Sequence, residues 1–230
     1  MTAAPGPSRP AAVAFDVVET LIALEPLGER FEKVGLPAHS VREFFPRTLL
    51  YGVGLNVTGD YVPFPVAAAA AVRTIARHSL TPDQVDYVVS GMRELPAHPD
   101  VEPAMRVLNE AGIRVTCLTN GAPEVVEAFL ARNGLDPLVE KVMTTSELQS
   151  WKPPAKVYLH AASELKLPPE RVCLVACHAW DCHGAKRAGL MAGWVARAEG
   201  GYDEIFAPAD VRGDDLVAVA RGLAELPSSD

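Results

Sequence analysis

Ala11-Ala-Val-Ala-Phe-Asp-Val-Val-Glu-Thr-Leu21 is the stretch on which the fold turns. Its first five residues are continuously apolar and too few for a helix. They read as a strand buried on both faces, which is the pattern of a parallel sheet. Asp16 follows directly, so it stands at the carboxyl edge of that sheet, where open α/β folds bind ligands. Taken alone, an Asp in this place also suits a turn or a helix cap.

Working outward, Arg114–Leu118 and Arg171–Ala176 repeat the short apolar run, with a weaker one at Met191–Val195. Helical patterns alternate with them over Val101–Ala111, Pro123–Asn133, Pro154–Leu165 and Gly184–Ala188. Alternating strands and helices predict a doubly wound, Rossmann-like parallel sheet. The region Leu24–Leu95 differs: Val66–His78 and Pro82–Leu95 have helical periodicity, and no strand stands out. It reads as an all-helical cap inserted after the first strand. The expected organisation is an α/β core of residues 11–23 and 96–225, a cap of residues 24–95, and flexible tails at 1–10 and 226–230.

Three further strings carry chemistry at the same sheet edge. Cys117-Leu-Thr-Asn-Gly121 places a hydroxyl, an amide and a glycine at a strand-to-helix turn, where free backbone N–H groups favour an anion. Ser150-Trp-Lys-Pro153 sets Lys152 just ahead of a helix-starting proline. Ala176-Cys-His-Ala-Trp-Asp181 follows the third apolar run. A carboxylate, a hydroxyl, an ammonium and a second carboxylate thus converge on one edge.

The order Asp16, Thr119, Lys152, Asp181 resembles the four motifs of the haloacid dehalogenase-like superfamily, over the chain from Ala11 to about Leu223. Phosphatases of that superfamily place a second Asp two residues after the nucleophile, and here that residue is Val18. The local strings are most similar to the L-2-haloacid dehalogenase branch: the Glu-Thr-Leu ending at Leu21, Thr119-Asn120-Gly121, Lys152 with Tyr158 six residues on, and His178-Ala-Trp-Asp181. The resemblance implies Asp16 as nucleophile, with Thr20, Lys152, Asp181 and Arg47 as catalytic partners. It implies Val18, Thr119, Asn120, Phe64, Tyr158, His178 and Trp180 around the substrate. The expected reaction removes halide from a small 2-haloacid through an aspartyl ester to give a 2-hydroxy acid. No cofactor is needed for that; Mg belongs only to the alternative of a phosphatase. A hydrolase of another activated small acid and a non-catalytic anion-binding protein also stay open as readings. Ala176, His178 and Val18 depart from the branch's Ser, Asn and Tyr, and point to a changed substrate wall.

Composition narrows the partners. A net charge of −8 and the absence of basic runs argue against nucleic acid, whose phosphates reward clustered Lys and Arg. The longest apolar run, Val66–Val72, falls far short of the roughly 18 residues of a membrane span. Residues 1–10 lack the pattern of a secretory signal. Four cysteines without disulfide-framework spacing suit a reducing cytoplasm. The pairs Cys177-His178 and Cys182-His183 lack a second ligand set, so no metal site is expected. A small-molecule substrate is the expected partner, and the apolar cap would allow a homodimer.

Overall fold

The computed structural model describes residues 6–228. Strand β1 (Ala12–Phe15) leads into four helices, α1 (Gly28–Lys33), α2 (Val41–Val57), α3 (Phe64–Ile75) and α4 (Pro82–Ser90). The chain then returns through α5 (Val101–Glu110), β2 (Arg114–Thr119), α6 (Pro123–Arg132), β3 (Lys141–Thr144), α7 (Ala155–Leu165) and β4 (Val172–Ala176). It finishes with α8 (Ala179–Arg187), β5 (Met191–Val195), β6 (Val211–Gly213) and α9 (Leu216–Ala224). All strand pairings are parallel, in the order β3-β2-β1-β4-β5-β6. This is an α/β fold, a parallel sheet with flanking helices and a helical cap.

The local sequence accounts for these elements. Every residue of β1, β4 and β5 is buried, as strands covered by helices on both faces require. Helix α5 buries Val101, Ala104, Met105 and Leu108, a stripe at helical spacing. Helix α4 begins with a capping box, in which the Thr81 hydroxyl accepts from the Gln84 N–H and the Gln84 side chain accepts from the Thr81 N–H.

Several expectations need correction. Strands β3 and β6 are not among the apolar runs, and helix α8 begins at Ala179, not Gly184. The reason for the early start is remote: the Glu199 carboxylate accepts the Ala179 N–H at 2.9 Å and caps the first turn. Of the expected tails, residues 1–5 and 229–230 lie outside the described residues. Within them Pro10 is buried, and the Arg9 N–H donates to the Pro227 carbonyl at 2.7 Å, so these parts are tied together.

The strand order positions the site. Strand β1 lies between β2 and β4, with Phe15 level with Cys117 on one side and Val175 on the other. Connections leave in opposite directions at this point, which opens a crevice at the carboxyl ends of the strands. Asp16 emerges into it, its N–H bonded to the Val175 carbonyl at 2.9 Å. The cap is held over the crevice by contacts with the Ser150–Trp151 loop. Asn56 accepts from the Ser150 hydroxyl at 3.1 Å, and the Trp151 indole N–H donates to the Val62 carbonyl at 3.0 Å. Gly52 on α2 lets that indole approach; a Cβ there would sit 2.3 Å from its ring.

Candidate active site

Lys152 is the centre of the cluster. Its side chain is fully buried, and Nζ donates to Asp16 Oδ1 at 3.0 Å and to Asp181 Oδ2 at 2.8 Å. Burial disfavours the ammonium, yet the charges of Asp16 and Asp181 outweigh it and raise the Lys152 pKa. Asp181 is equally buried. Desolvation raises its pKa above the usual carboxylate range, against the opposing pull of Lys152. Its other oxygen accepts from the Tyr158 hydroxyl at 2.5 Å. Both oxygens of Asp181 are therefore engaged inside the core.

Asp16 faces the crevice. Its second oxygen, Oδ2, accepts from the Thr20 hydroxyl at 2.8 Å. Thr20 is fixed in turn, since its hydroxyl oxygen accepts the Cys177 N–H at 3.0 Å and Arg197 holds both its carbonyl and the Asp100 carboxylate. The Asn120 carbonyl oxygen accepts the Lys152 N–H at 2.9 Å, so its amide nitrogen is the end it has to offer a ligand. The Thr119 hydroxyl accepts the Gly121 N–H at 2.9 Å and locks the turn after β2.

A small cavity of 10 Å³, about the room of one water, lies over Asp16. Val18, Phe64, Thr119, Asn120, His178 and Trp180 line it, joined by Phe45 and Leu49 of α2. His178 sits between Phe45 and Trp180, with ring centroids 5.8 and 5.7 Å away. Its Nδ1 is 4.0 Å from Asp16 Oδ2, and its Nε2 is 2.9 Å from Glu19 Oε2. Burial opposes a charge on His178. The Cys177 thiol, the Glu19 carboxylate and Asp16 together overcome it and hold the imidazole well above its usual range.

Two expected site residues are placed elsewhere. Arg47 does not reach Asp16: it pairs with Glu43, its Nε 2.9 Å from Glu43 Oε1, and lies 3.4 Å from the Tyr51 hydroxyl. On α2 the residues facing the crevice are Phe45 and Leu49, and Arg47 falls on the face shared with Glu43 and Tyr51. Tyr158 is fully buried behind Asp181, where it supports that carboxylate and does not line the cavity. Gly184 makes room for it, because a Cβ there would lie 2.5 Å from the Tyr158 hydroxyl.

Glu19 is a site residue to which the Glu-Thr-Leu motif assigns no role. It adopts a left-handed conformation, φ 67°, which a non-glycine residue takes only against a steric cost. The pair it forms with His178 spans 159 positions. The only trace in the sequence is that His178 replaces an uncharged Asn of the branch.

The cysteines are buried and free, with Cys117 pushed up to about 12 by desolvation, so none has thiolate character. Among the described residues, no three His, Cys, Asp or Glu side chains converge as a metal cage, and no helix is long and apolar enough to cross a membrane.

Comparison with known proteins places the chain among dehalogenase-like folds. A (S)-2-haloacid dehalogenase 4A of Burkholderia cepacia is 32% identical over 123 residues, 54% of this chain and 53% of that one. A (S)-2-haloacid dehalogenase of Pseudomonas fluorescens is 26% identical over 217 residues, 92% of each chain. A crystal structure of a dehalogenase with an intermediate complex superposes with a TM-score of 0.86 at 26% identity, covering 95% of this chain and 99% of that one. Residues 10–189 match the haloacid dehalogenase-like hydrolase family as a whole. With the family matched over most of its length, this chain belongs to the haloacid dehalogenase-like hydrolases.

Proposed function

We propose that this hydrolase removes halide from a small 2-haloacid, with the Asp16 carboxylate as the attacking group. The observation that carries the reading is the placement of Asp16: at the switch point of the sheet, held by Thr20 and Lys152, in a small cavity with apolar Val18 two residues on. A phosphatase needs a proton donor for its leaving alcohol, and Val18 has none to give.

Asp16 Oδ attacks the halogen-bearing carbon, forming a C–O bond as the carbon–halogen bond breaks with its electron pair going to halide. Lys152 holds Asp16 by Oδ1 at 3.0 Å and fixes the carboxylate for the attack. Thr119, the Asn120 amide nitrogen and the N–H groups of the following turn hold the substrate carboxylate. Departing halide needs a cation in a dry pocket. His178 fills that role in place of Arg47, with Phe45, Phe64 and Trp180 excluding water. Water then attacks the ester carbonyl, its proton passing by way of Lys152 to Asp181. As the adduct collapses, the second proton of the water passes to the departing alkoxide oxygen, so a 2-hydroxy acid leaves, the Asp16 carboxylate is regenerated and Asp181 gives its proton up to solvent. No cofactor takes part.

The test is halide release from 2-chloro-, 2-bromo- and 2-fluoro-acids in EDTA, beside 4-nitrophenyl phosphate with Mg. Halide release that survives EDTA is expected. Phosphate release without halide would sink the reading.

Glu19 acts as a positioning residue. With the His178 pKa raised in the folded protein, the cation is present below that pKa and lost as pH rises through it. Asp16, Glu19 and Cys177 are the titratable groups against the ring, and Phe45 and Trp180 cover it. Glu19→Gln should therefore move the alkaline fall of kcat to lower pH while leaving the neutral-pH fold intact. An unchanged pH profile would refute the role.

The exposed Leu50, Val57 and Val66 of the cap support a homodimer. The four free cysteines support a cytoplasmic setting.

A further inference from the structure

The space over Asp16 is small, and a larger one lies against the same walls. Val18, Phe64 and Thr119 wall both the 10 Å³ cavity and a second one of 220 Å³ between cap and core. The larger cavity is lined on the core side by Ile22, Val125 and Val126 and on the cap side by Val89 and Met92. Its charged residues, Asp86 and Arg93, are both exposed and so belong to its mouth. A deep wall of hydrocarbon offers nothing to orient a polar head group, and it gains most from an apolar occupant. Polar anchoring is concentrated at Thr119 and Asn120, on the side of Asp16.

We infer that the substrate is a 2-haloacid whose remaining substituent is an alkyl chain longer than methyl, seated in the cavity between Val18, Val89 and Val125. The inference rests on the reading of Asp16 as the group that displaces halide, because that reading fixes the carboxylate and the reacting carbon beside Thr119. From there the 220 Å³ cavity lies past Val18 and shares Thr119 with the carboxylate site; a space of 390 Å³ beyond Leu49 and Trp180 does not touch Thr119. The position two after the nucleophile, a Tyr in the resembling branch, is the gate: Val18 stands in the wall shared by the two cavities, and a valine fills less of that wall than a tyrosine would. The chain's departure from the branch at Val18 then has a physical use, admission of a longer tail.

Two series test it on the intact protein. The first is kcat/KM for bromide release from (S)-2-bromo-acids running from propionate to octanoate. The second is the calorimetric Kd of unhalogenated straight-chain carboxylates from acetate to octanoate. Each added methylene is expected to improve both by roughly threefold until the cavity is full. Val125→Phe fills the cavity from α6. Val125 is half-buried and does not line the space over Asp16, so the variant should flatten both series. Val89→Phe does the same from the cap and serves if the first variant fails to fold.

A flat or falling series in the wild type would overturn the inference, as would no measurable binding at any chain length or a Val125→Phe series equal to the wild type's. Affinity that climbs with chain length without bromide release would refute the proposed reaction and uphold the cavity's occupant. Bromide release with a flat series would do the reverse.

Discussion

Asp16→Asn is expected to lower halide release by at least about 10⁴-fold, the scale on which enzymes lose activity when a covalent nucleophile is removed. The amide has the shape of the carboxylate but no negative charge and no oxygen able to form the ester. Its surroundings should survive the change. Thr20 still finds a carbonyl oxygen to donate to, and Lys152 keeps its 2.8 Å pair with Asp181. The folded state is then little altered, so a thermal melt close to that of the wild type separates lost chemistry from lost structure. Halide release within tenfold of the wild type would remove Asp16 from the reaction.

Lys152→Met carries the second largest effect, and it acts on both stability and chemistry. The lysine is sealed between two carboxylates, and taking away one partner of a buried ion pair costs about 3–5 kcal/mol, because the remaining charge is left unpaired. Methionine preserves the length of the side chain, so a cavity adds little to that cost. Without the ammonium, Asp16 and Asp181 face each other across a desolvated gap, and the charge that opposes the raised pKa of Asp181 is gone. The variant is expected to lose on the order of 10³-fold in kcat near neutral pH. Its residual activity should climb with pH, because Asp181, raised by burial and no longer opposed by the ammonium, is free to take the proton of water only at higher pH. Chemical denaturation read beside a pH–rate profile checks both parts. A variant as stable as the wild type, with a flat profile, would show that Lys152 does not govern the charge of Asp181.

Much of this arrangement is written in short stretches of the sequence. The runs that form β1, β2 and β4 are continuous in apolar residues because helices cover both of their faces, and the acidic and hydroxyl residues just beyond them mark the crevice. Strands β3 and β6 lack that mark. Each lies at an edge of the sheet, is only partly buried and begins with or contains a cation, Lys141 and Arg212 respectively. Such strands are defined by their neighbours' hydrogen bonds, which a local pattern does not contain.

The site divides in the same way. Asp16, Thr119, Lys152 and Asp181 each follow or precede an element that can be recognised locally, and the sheet brings them together. Arg47 depends on the rotation of α2, which a spacing alone does not fix; two positions separate it from the face that Phe45 and Leu49 turn to the crevice. Tyr158 lies six residues after Lys152, but whether it meets substrate or supports Asp181 depends on how α7 and α8 pack at Gly184. The pairing of Glu19 with His178 joins the loops after β1 and β4, and only the parallel register of those strands sets it at 2.9 Å.

The central claim, that Asp16 forms a covalent bond to substrate carbon, is tested most directly by a single turnover in heavy-oxygen water with enzyme in excess. The oxygen of the new hydroxyl group then comes from Asp16, and solvent oxygen replaces it in the carboxylate. An unlabelled 2-hydroxy acid, together with one heavy oxygen on the peptide carrying Asp16, is the predicted result. Heavy oxygen in the product and none on Asp16 would mean that water attacks the substrate carbon itself, and would contradict the account.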